Sequence, residues 1–319
     1  MIDLSIVVCT YDRPASLEAT LRSCLRQTNA LGLAIEVVVI DNHPSGSGRP
    51  VAEALARETT WPLRYVTELT RNMSTLRNRG FSEARGRLVA CIDDDEVAEP
   101  DWLDQLVGAL RAADADIAVG PRLAVFAGEP PPYDPTGSQF VRSLDLADGA
   151  VIPLTAPSGK PRYGLGTGNS LFDAERCFPR GEPAMREAFG DAGGEDAELF
   201  IRLYRQGRRI VWAAKAVVTE TVAPHRTAVT YRLIRTRREA QHYVSIYLDA
   251  TPRPRLTWLK LMAKGLAQVI VGFALAALTF EFGSRRRLTG RALMEHGLGK
   301  LLWTRAVGYI PEPSANSAT

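Results

Sequence analysis

Histidine and cysteine are scarce in this sequence, at four residues each, and Cys9, Cys24, Cys91 and Cys177 stand apart rather than in CxxC pairs. That spacing excludes a disulfide-stapled framework. Cys9 and Cys91 lie inside apolar strand-like runs, where a thiol serves as a small hydrophobe, so a reduced, cytosolic setting is expected. Neither sign of charge dominates: 39 Lys and Arg face 36 Asp and Glu, and a net charge of +3 is too small to imply nucleic-acid binding. The opening run MIDLSIVVCT has no basic region followed by a long apolar stretch and a small-residue cleavage site, so no secretory signal is expected. No internal repeat is evident, and 45% hydrophobic with 24% charged residues excludes wholesale disorder. A chain of 319 residues suits one large α/β body with an appendage.

What is present begins with three β-branched runs, Leu4 to Cys9, Ile35 to Ile40 and Leu88 to Ile92. They are apolar without alternation, as strands buried on both faces of a parallel sheet are. Between them Pro14 to Arg26 carries Leu17, Leu21, Cys24 and Leu25 at helical spacing, and Val51 to Arg57 and Thr75 to Ala84 also read as helices. Such βα units predict an α/β layered fold with a mainly parallel central sheet. From Pro121 to Arg162 the Pro/Gly-rich segments EPPPYDP and TAPSGKP predict a long ordered loop or lid. A second compact part follows, with a glycine-rich entry over Tyr163 to Phe172, a helix over Glu195 to Arg205 and a strand pair around Ile210 to Trp212 and Ala216 to Val218.

The sharpest local signal is Asp93-Asp94-Asp95-Glu96, directly after the strand-like run ending at Ile92. Consecutive acids repel one another, and a divalent cation at the carboxyl edge of an open α/β sheet offsets that repulsion most easily. A solvated acidic turn explains such a run equally well when it is taken alone. The first strand ends in Thr10-Tyr11-Asp12-Arg13-Pro14 and the second in Asp41-Asn42, which places polar groups on the same edge. There an acid suits a nucleobase or ribose and Tyr11 can stack on a base, although each residue singly would serve as a cap or turn. Arg77 lies about one turn into a helix capped by Ser74 or Thr75, from which a guanidinium reaches a diphosphate or a structural salt bridge. Gly193-Gly194-Glu195-Asp196 opens a helix whose first acids either complement the helix dipole or serve as a general base for an acceptor hydroxyl.

Together IVVCTYDRP, VVVIDN, RNMSTLRNRG, VACIDDDEVAEPDWL and GGEDAELFIRLYRQG resemble, in order and spacing from Ser5 to Arg226, the inverting family 2 glycosyltransferases, in the flavour of bacterial succinoglycan-type glucosyltransferases. The resemblance implies a GT-A fold, a nucleotide-diphosphate-sugar donor (a UDP-sugar) and Mn2+ or Mg2+. It implies a nucleotide-sugar site at Thr10, Tyr11, Arg13, Asp41, Arg77, Asp93 and Asp94. The metal would fall to Asp95 and Asp93, with His225 of Ala223-Pro224-His225-Arg226 beside it, and the catalytic base to Asp196 with Glu195 adjacent. Residues 1–120 become the donor-binding half, 121–230 the acceptor and base half, and 231–319 a helical, membrane-associated segment. The Q-x-x-R-W signature of processive members is missing, which implies transfer of a single sugar. GLGTGN at Gly164 to Asn169 is not a GxGxxG dinucleotide fingerprint and does not follow the first strand, so a dehydrogenase is disfavoured. A nucleotidyltransferase would need a Gly/Arg/Lys-rich loop where this chain has TYDRP, and a non-catalytic assembly protein would not need Asp93, Asp95 and Asp196 intact.

From Tyr231 onward the chain is rich in Arg, Lys and apolar residues, and Leu261 to Phe280 approaches the length that crosses a bilayer. Lys260, Lys264 and Gln268 recur at four-residue spacing, with Leu261, Leu266, Val269, Ile270 and Phe273 facing elsewhere. Basic residues flank both ends, Arg253 and Arg255 before and Arg285 to Arg287 after, which favours an interfacial or re-entrant helix over a single crossing. Such docking suits a lipid-linked or polysaccharide acceptor at the cytoplasmic side of the membrane.

Overall fold

The computed structural model describes residues 1–155, 162–179, 181–191, 193–249, 251–278 and 284–305. The APSGKP part of the second Pro/Gly segment and the Thr279–Phe280 end of the apolar span lie outside the described residues. The chain folds as two compact units. The first is Met1–Val125, Phe140–Gly190 and Glu195–Thr221, and the second is Phe126–Gln139, Asp191–Gly194 and Val222–Thr319.

The first unit runs β1 (Leu4–Thr10), α1 (Pro14–Leu25), β2 (Ile35–Asp41), α2 (Arg49–Glu58), β3 (Leu63–Thr67), α3 (Met73–Glu83), β4 (Leu88–Asp93), β5 (Glu96–Ala98), α4 (Trp102–Ala112), β6 (Ile117–Val119) and β7 (Arg122–Phe126). After a long connection come β8 (Ser170–Asp173), the one-turn α5 (Ala174–Cys177), α6 (Glu195–Arg205), β9 (Ile210–Trp212) and β10 (Val218–Val222). A seven-stranded sheet has the order β3-β2-β1-β4-β8-β6-β9, and β5-β10-β7 form a second sheet. The large sheet is parallel except at β8, which runs antiparallel to β4 and β6, so the mainly parallel α/β architecture read from the sequence is the one observed.

The unbroken apolar runs are explained by burial on both faces. Leu4, Ile6 and Val8 of β1 join Leu17 and Leu21 of α1, Leu55 of α2 and Trp102 and Leu106 of α4 in one core. On the opposite face Val7, Val38, Ile40 and Val89 pack with Leu76 of α3. Gly80 lets α3 lie tight on the sheet, because a Cβ there would sit 2.5 Å from Val7 Cγ1. All four cysteines are unpaired, and burial pushes the Cys9 thiol up to about 12.

Three sequence expectations need correcting, the first being the cap of α3, which is Asn72, accepting the Thr75 N–H at 3.0 Å, rather than Ser74 or Thr75. The strand pair near Ile210 and Ala216 does not pair with itself: β9 joins β6 in the large sheet, whereas the second strand starts at Val218 and joins β5. A tight turn explains this, with Ala216 N–H donating to the Ala213 carbonyl at 3.0 Å and redirecting the chain. The predicted loop from Pro121 opens with strand β7, and its far end is held on β9 by Ile152 N–H to Ile210 O, 2.8 Å, with Ile152 and Leu154 fully buried.

The second unit contains α7 (Val229–Asp249), α8 (Pro254–Leu278) and α9 (Ser284–Leu301). Tyr133, Leu233 of α7 and Leu288 of α9 share a small core, and Arg237 of α7 pairs with Glu295 of α9 at 2.5 Å.

Candidate functional site

The chain leaves β1 toward β2 and β3 on one side and reaches β4 on the other, so the sheet order reverses between β1 and β4. Helices following such strands diverge and leave a crevice at the carboxyl ends, the usual ligand position in open α/β sheets. Register places Cys9 beside Asp93 and Thr10 beside Asp41, so the three predicted strand ends do meet at this edge.

Asp94 ties the first loop to the acidic run. Thr10 Oγ1 donates to Asp94 Oδ2 at 2.7 Å, and Arg13 Nη1 donates to Asp94 Oδ1 at 3.0 Å and Asp95 Oδ2 at 3.1 Å. Burial raises the Asp94 pKa even against Arg13 and Thr10. Asp95 is pushed up to about 7 by burial first, then by Asp93, Glu220 and Asp94. Glu96, fully buried, accepts the Asp93 N–H at 3.1 Å through Oε2, while its Oε1 makes no hydrogen bond. Burial and Asp93 drive the Glu96 pKa upward despite Arg122 and Arg142.

Arg77 joins this edge to the start of α6. Its guanidinium pairs with Glu195, with Asp196 Oδ1 at 3.0 Å and with Asp93 Oδ1 at 3.7 Å. Burial works against its charge, yet Asp196, Glu195 and Asp93 outweigh burial and hold it protonated. Glu195 is the more enclosed acid, at 7% exposure, and its Oε2 makes no hydrogen bond. Its pKa is raised by burial and by Asp196, against Arg77. Asp196 is more open, and Thr167 Oγ1 donates to its Oδ1 at 2.9 Å.

Around the nucleotide-side candidates, Tyr11 is 40% exposed, with the Arg71 guanidinium 5.8 Å from its ring centroid and His43 edge-on at 5.0 Å. Asp41 is fully buried and accepts from His43 N–H at 2.8 Å, Gly48 N–H at 2.8 Å and Tyr65 Oη at 2.7 Å. Its carboxylate therefore organises the loop after β2. His225 belongs to the second unit, in the short turn Pro224–Thr227, with its ring edge-on to Tyr231 at 5.9 Å.

Sequence reading missed Thr167, Arg142 and Glu220. Arg142 lies in the Pro/Gly-rich connection, where no periodicity marks it, and donates to the carbonyls of Gly120, Gly166, Gly168 and Asn169. It thereby holds GLGTGN against the acids, where a Cβ on Gly168 would fall 2.9 Å from Asp93 Cγ and from Glu96 Oε1. Burial first, then Arg122, lowers the Arg142 pKa to about 10.

Among the described residues no group of three His, Cys, Asp or Glu forms a ready metal cluster. Asp93 and Asp95 nevertheless fit a hard divalent cation. Burial first and the neighbouring carboxylates second raise the Asp95 and Glu96 pKa values, and Glu96 Oε1 is left without a hydrogen bond, so a cation here would relieve the crowding of acids. An ion held by two carboxylates and completed by phosphate and water oxygens is the ordinary arrangement for magnesium-like cations.

Residues 5–156 match the model of Glycosyl transferase family 2. The chain is 29% identical over 300 residues to the succinoglycan biosynthesis protein ExoM of Rhizobium meliloti (strain 1021), covering 93% of this chain and 92% of that one. It is 25% identical over 252 residues to a glucosyl-dolichyl phosphate glucuronosyltransferase of Haloferax volcanii, covering 73% of each. Among solved structures it is similar to S. aureus TarS 1–349 in complex with UDP (TM-score 0.54, 17% identity, 95% of this chain and 91% of that one). The mannosyltransferase PcManGT of Pyrobaculum calidifontis in complex with GDP-Man and Mn2+ aligns with TM-score 0.57 and 20% identity over 95% and 87% of the two chains. The chain therefore has the GT-A fold, and its residues 5–156 are similar to glycosyl transferase family 2.

Proposed function

We propose that this protein transfers a single sugar from a nucleotide-diphosphate-sugar, a UDP-sugar, to a hydroxyl of a lipid-linked or polysaccharide glycan, with inversion and with Mn2+ or Mg2+. The observation that carries this reading is the Arg77 bridge, which gathers Asp93 at the end of β4 with Glu195 and Asp196 at the start of α6. Residues 1–120 would serve the donor and 121–230 the acceptor and base. Thr10, Tyr11, Arg13, Asp41, Arg77, Asp93 and Asp94 are assigned to the donor side, with Tyr11 offering an exposed ring to the base and Asp41 shaping the loop beneath it.

In the reaction the acceptor oxygen attacks the anomeric carbon as its bond to the phosphate oxygen breaks. Asp196 takes the acceptor proton, and the nucleoside diphosphate leaves with the bonding electrons. Thr167 and Arg77 orient the Asp196 carboxylate, and the enclosed Glu195 shares Arg77 with it. Asp93 and Asp95 would hold the divalent cation, which supplies charge neutralisation at the leaving diphosphate. His225 is assigned to the same ion by the resemblance. One displacement inverts the centre. Developing charge near the donor is met by preorganised groups rather than by bulk water.

The acceptor is assigned to the cytoplasmic side of a membrane because α8 is long and apolar enough to reach one and because a relative, ExoM, is named for succinoglycan biosynthesis. A panel of nucleotide sugars with Mn2+ or Mg2+, read by released nucleotide and by product mass, tests the proposal. A UDP-sugar should turn over and yield an inverted glycoside with a glycan acceptor. No turnover of any nucleotide sugar would overturn it.

A further inference from the structure

The helix α8 carries an apolar surface that its own unit does not cover. Its buried positions are Leu261, Gly265 and Gly272, and both glycines face α9. Leu259, Ala263, Leu266, Ile270, Phe273 and Ala277 recur at steps of three and four, and all are exposed. Leu259 is 57%, Ile270 60% and Phe273 66% exposed. The sequence grouping of Leu261, Leu266, Val269, Ile270 and Phe273 is thereby split, since Leu261 is buried and Val269 lies against Gly297 of α9.

That seam decides what α8 can do. A Cβ on Gly272 would meet Met294 N at 2.5 Å and Gly290 O at 2.7 Å, and one on Gly297 would meet Gly265 O at 2.5 Å. Rising numbers on α8 thus meet falling numbers on α9, so the two helices run antiparallel with backbones touching. Across the same seam Gln268 pairs with His296 at 3.1 Å. At about 1.5 Å per residue α8 is long enough to cross a hydrocarbon core of about 30 Å. A crossing would drag its companion along, with Arg291, Glu295 and Lys300 at bilayer depth and Glu295 already committed to Arg237 of α7. Ionised residues on that scale do not enter hydrocarbon when an alternative exists.

We propose that α8 lies in the plane of an anionic lipid surface, its Leu259–Ile270–Phe273 face down, held by α9 as a strap that prevents it from spanning. The use of this surface rests on the reading that the acceptor is lipid-linked. Charge selects the occupant. The 25-residue helix contains Arg255, Lys260 and Lys264 and no acid. Anionic headgroups complement that set, whereas a second copy laid face to face would oppose like charges. At the α7–α8 corner Leu248, Pro254, Arg255, Trp258 and Leu259 line a cleft of about 430 Å³. Its apolar walls suit a lipid chain, Arg255 suits a phosphate, and the Trp258 indole is of the kind that favours the headgroup zone.

The test uses full-length protein and phosphatidylcholine vesicles with and without phosphatidylglycerol. Flotation is expected with the anionic vesicles and at least about tenfold weaker without them. I270D/F273D and, separately, K260E/K264E should each lower binding by about tenfold or more, with thermal unfolding and donor hydrolysis in solution unchanged. Fluorophores on Leu256→Cys and Leu278→Cys, compared with labelled parent, should both be quenched by impermeant dithionite added outside the vesicles. Protection of only one end would show a span and overturn the proposal. So would unchanged binding of both double variants, or a dimer that I270D/F273D dissociates without any vesicle binding. Vesicle binding without turnover of any nucleotide sugar would instead sink the transfer reading and leave the docking intact.

Discussion

Asp95 shares a buried edge with Asp93, Asp94 and Glu220, and its pKa of about 7 in the fold stands above the 3.8 of an ordinary aspartate. A carboxyl whose pKa rises on folding holds more protons in the native state, so stability falls as pH rises from about 4 through 7. At pH 8 and without divalent ions, Asp95→Asn is therefore expected to stabilise the fold, by roughly 1–3 kcal/mol, while metal-dependent turnover is lost. Calorimetric unfolding beside a nucleotide-release assay reads both effects, and a variant that is less stable yet fully active would refute the assignment. Asp196→Asn should keep nucleotide affinity and lose transfer by about two to four orders of magnitude. Unchanged transfer would move the base to Glu195. These acids were legible because DDDE and GGED are contiguous in sequence. Thr167 and Arg142 were not, since a hydroxyl and a loop arginine acquire roles only from what they are folded against.

At the scale of elements, α3 carries Arg77 and rests on β1 through Gly80. Gly80→Val should push α3 off Val7, costing about 1–3 kcal/mol as overpacking does, and should lower transfer by displacing the guanidinium from Asp93 and Asp196. Denaturant midpoints and kinetics on the same variant check the pair of effects; loss of stability with full activity would show that Arg77 does not need this seat. The limits of β1, β2, β4 and α6 followed closely from runs of apolar residues and from helical spacing. Strand β3 gave no such signal, because its residues are only half-buried at a sheet edge. Likewise β9 and β10 read as one pair, because period says where a strand lies but not which neighbour accepts its hydrogen bonds.

For the whole molecule, surface attraction and chemistry should separate under salt. Exposed Lys and Arg are screened within about 8–10 Å at physiological ionic strength. Transfer to a lipid-linked acceptor on anionic vesicles should therefore fall several-fold as salt is raised, while donor hydrolysis in solution holds. An equal decline of both rates would place the salt effect in the donor site. Excess chelator should stop both, and full activity in chelator would remove the metal from the mechanism.

Residue type and period alone were enough to specify the α/β class, the acidic strand end, the acid pair opening α6 and the apolar helix near the C-terminus, because each is a local pattern. Which groups meet was left to the folded chain. Folding set Arg77 among three carboxylates drawn from two elements, closed Asp41 inside its own loop and laid α9 along α8. Those outcomes depend on distances between residues far apart in the chain, which packing and backbone geometry set and which no local pattern encodes.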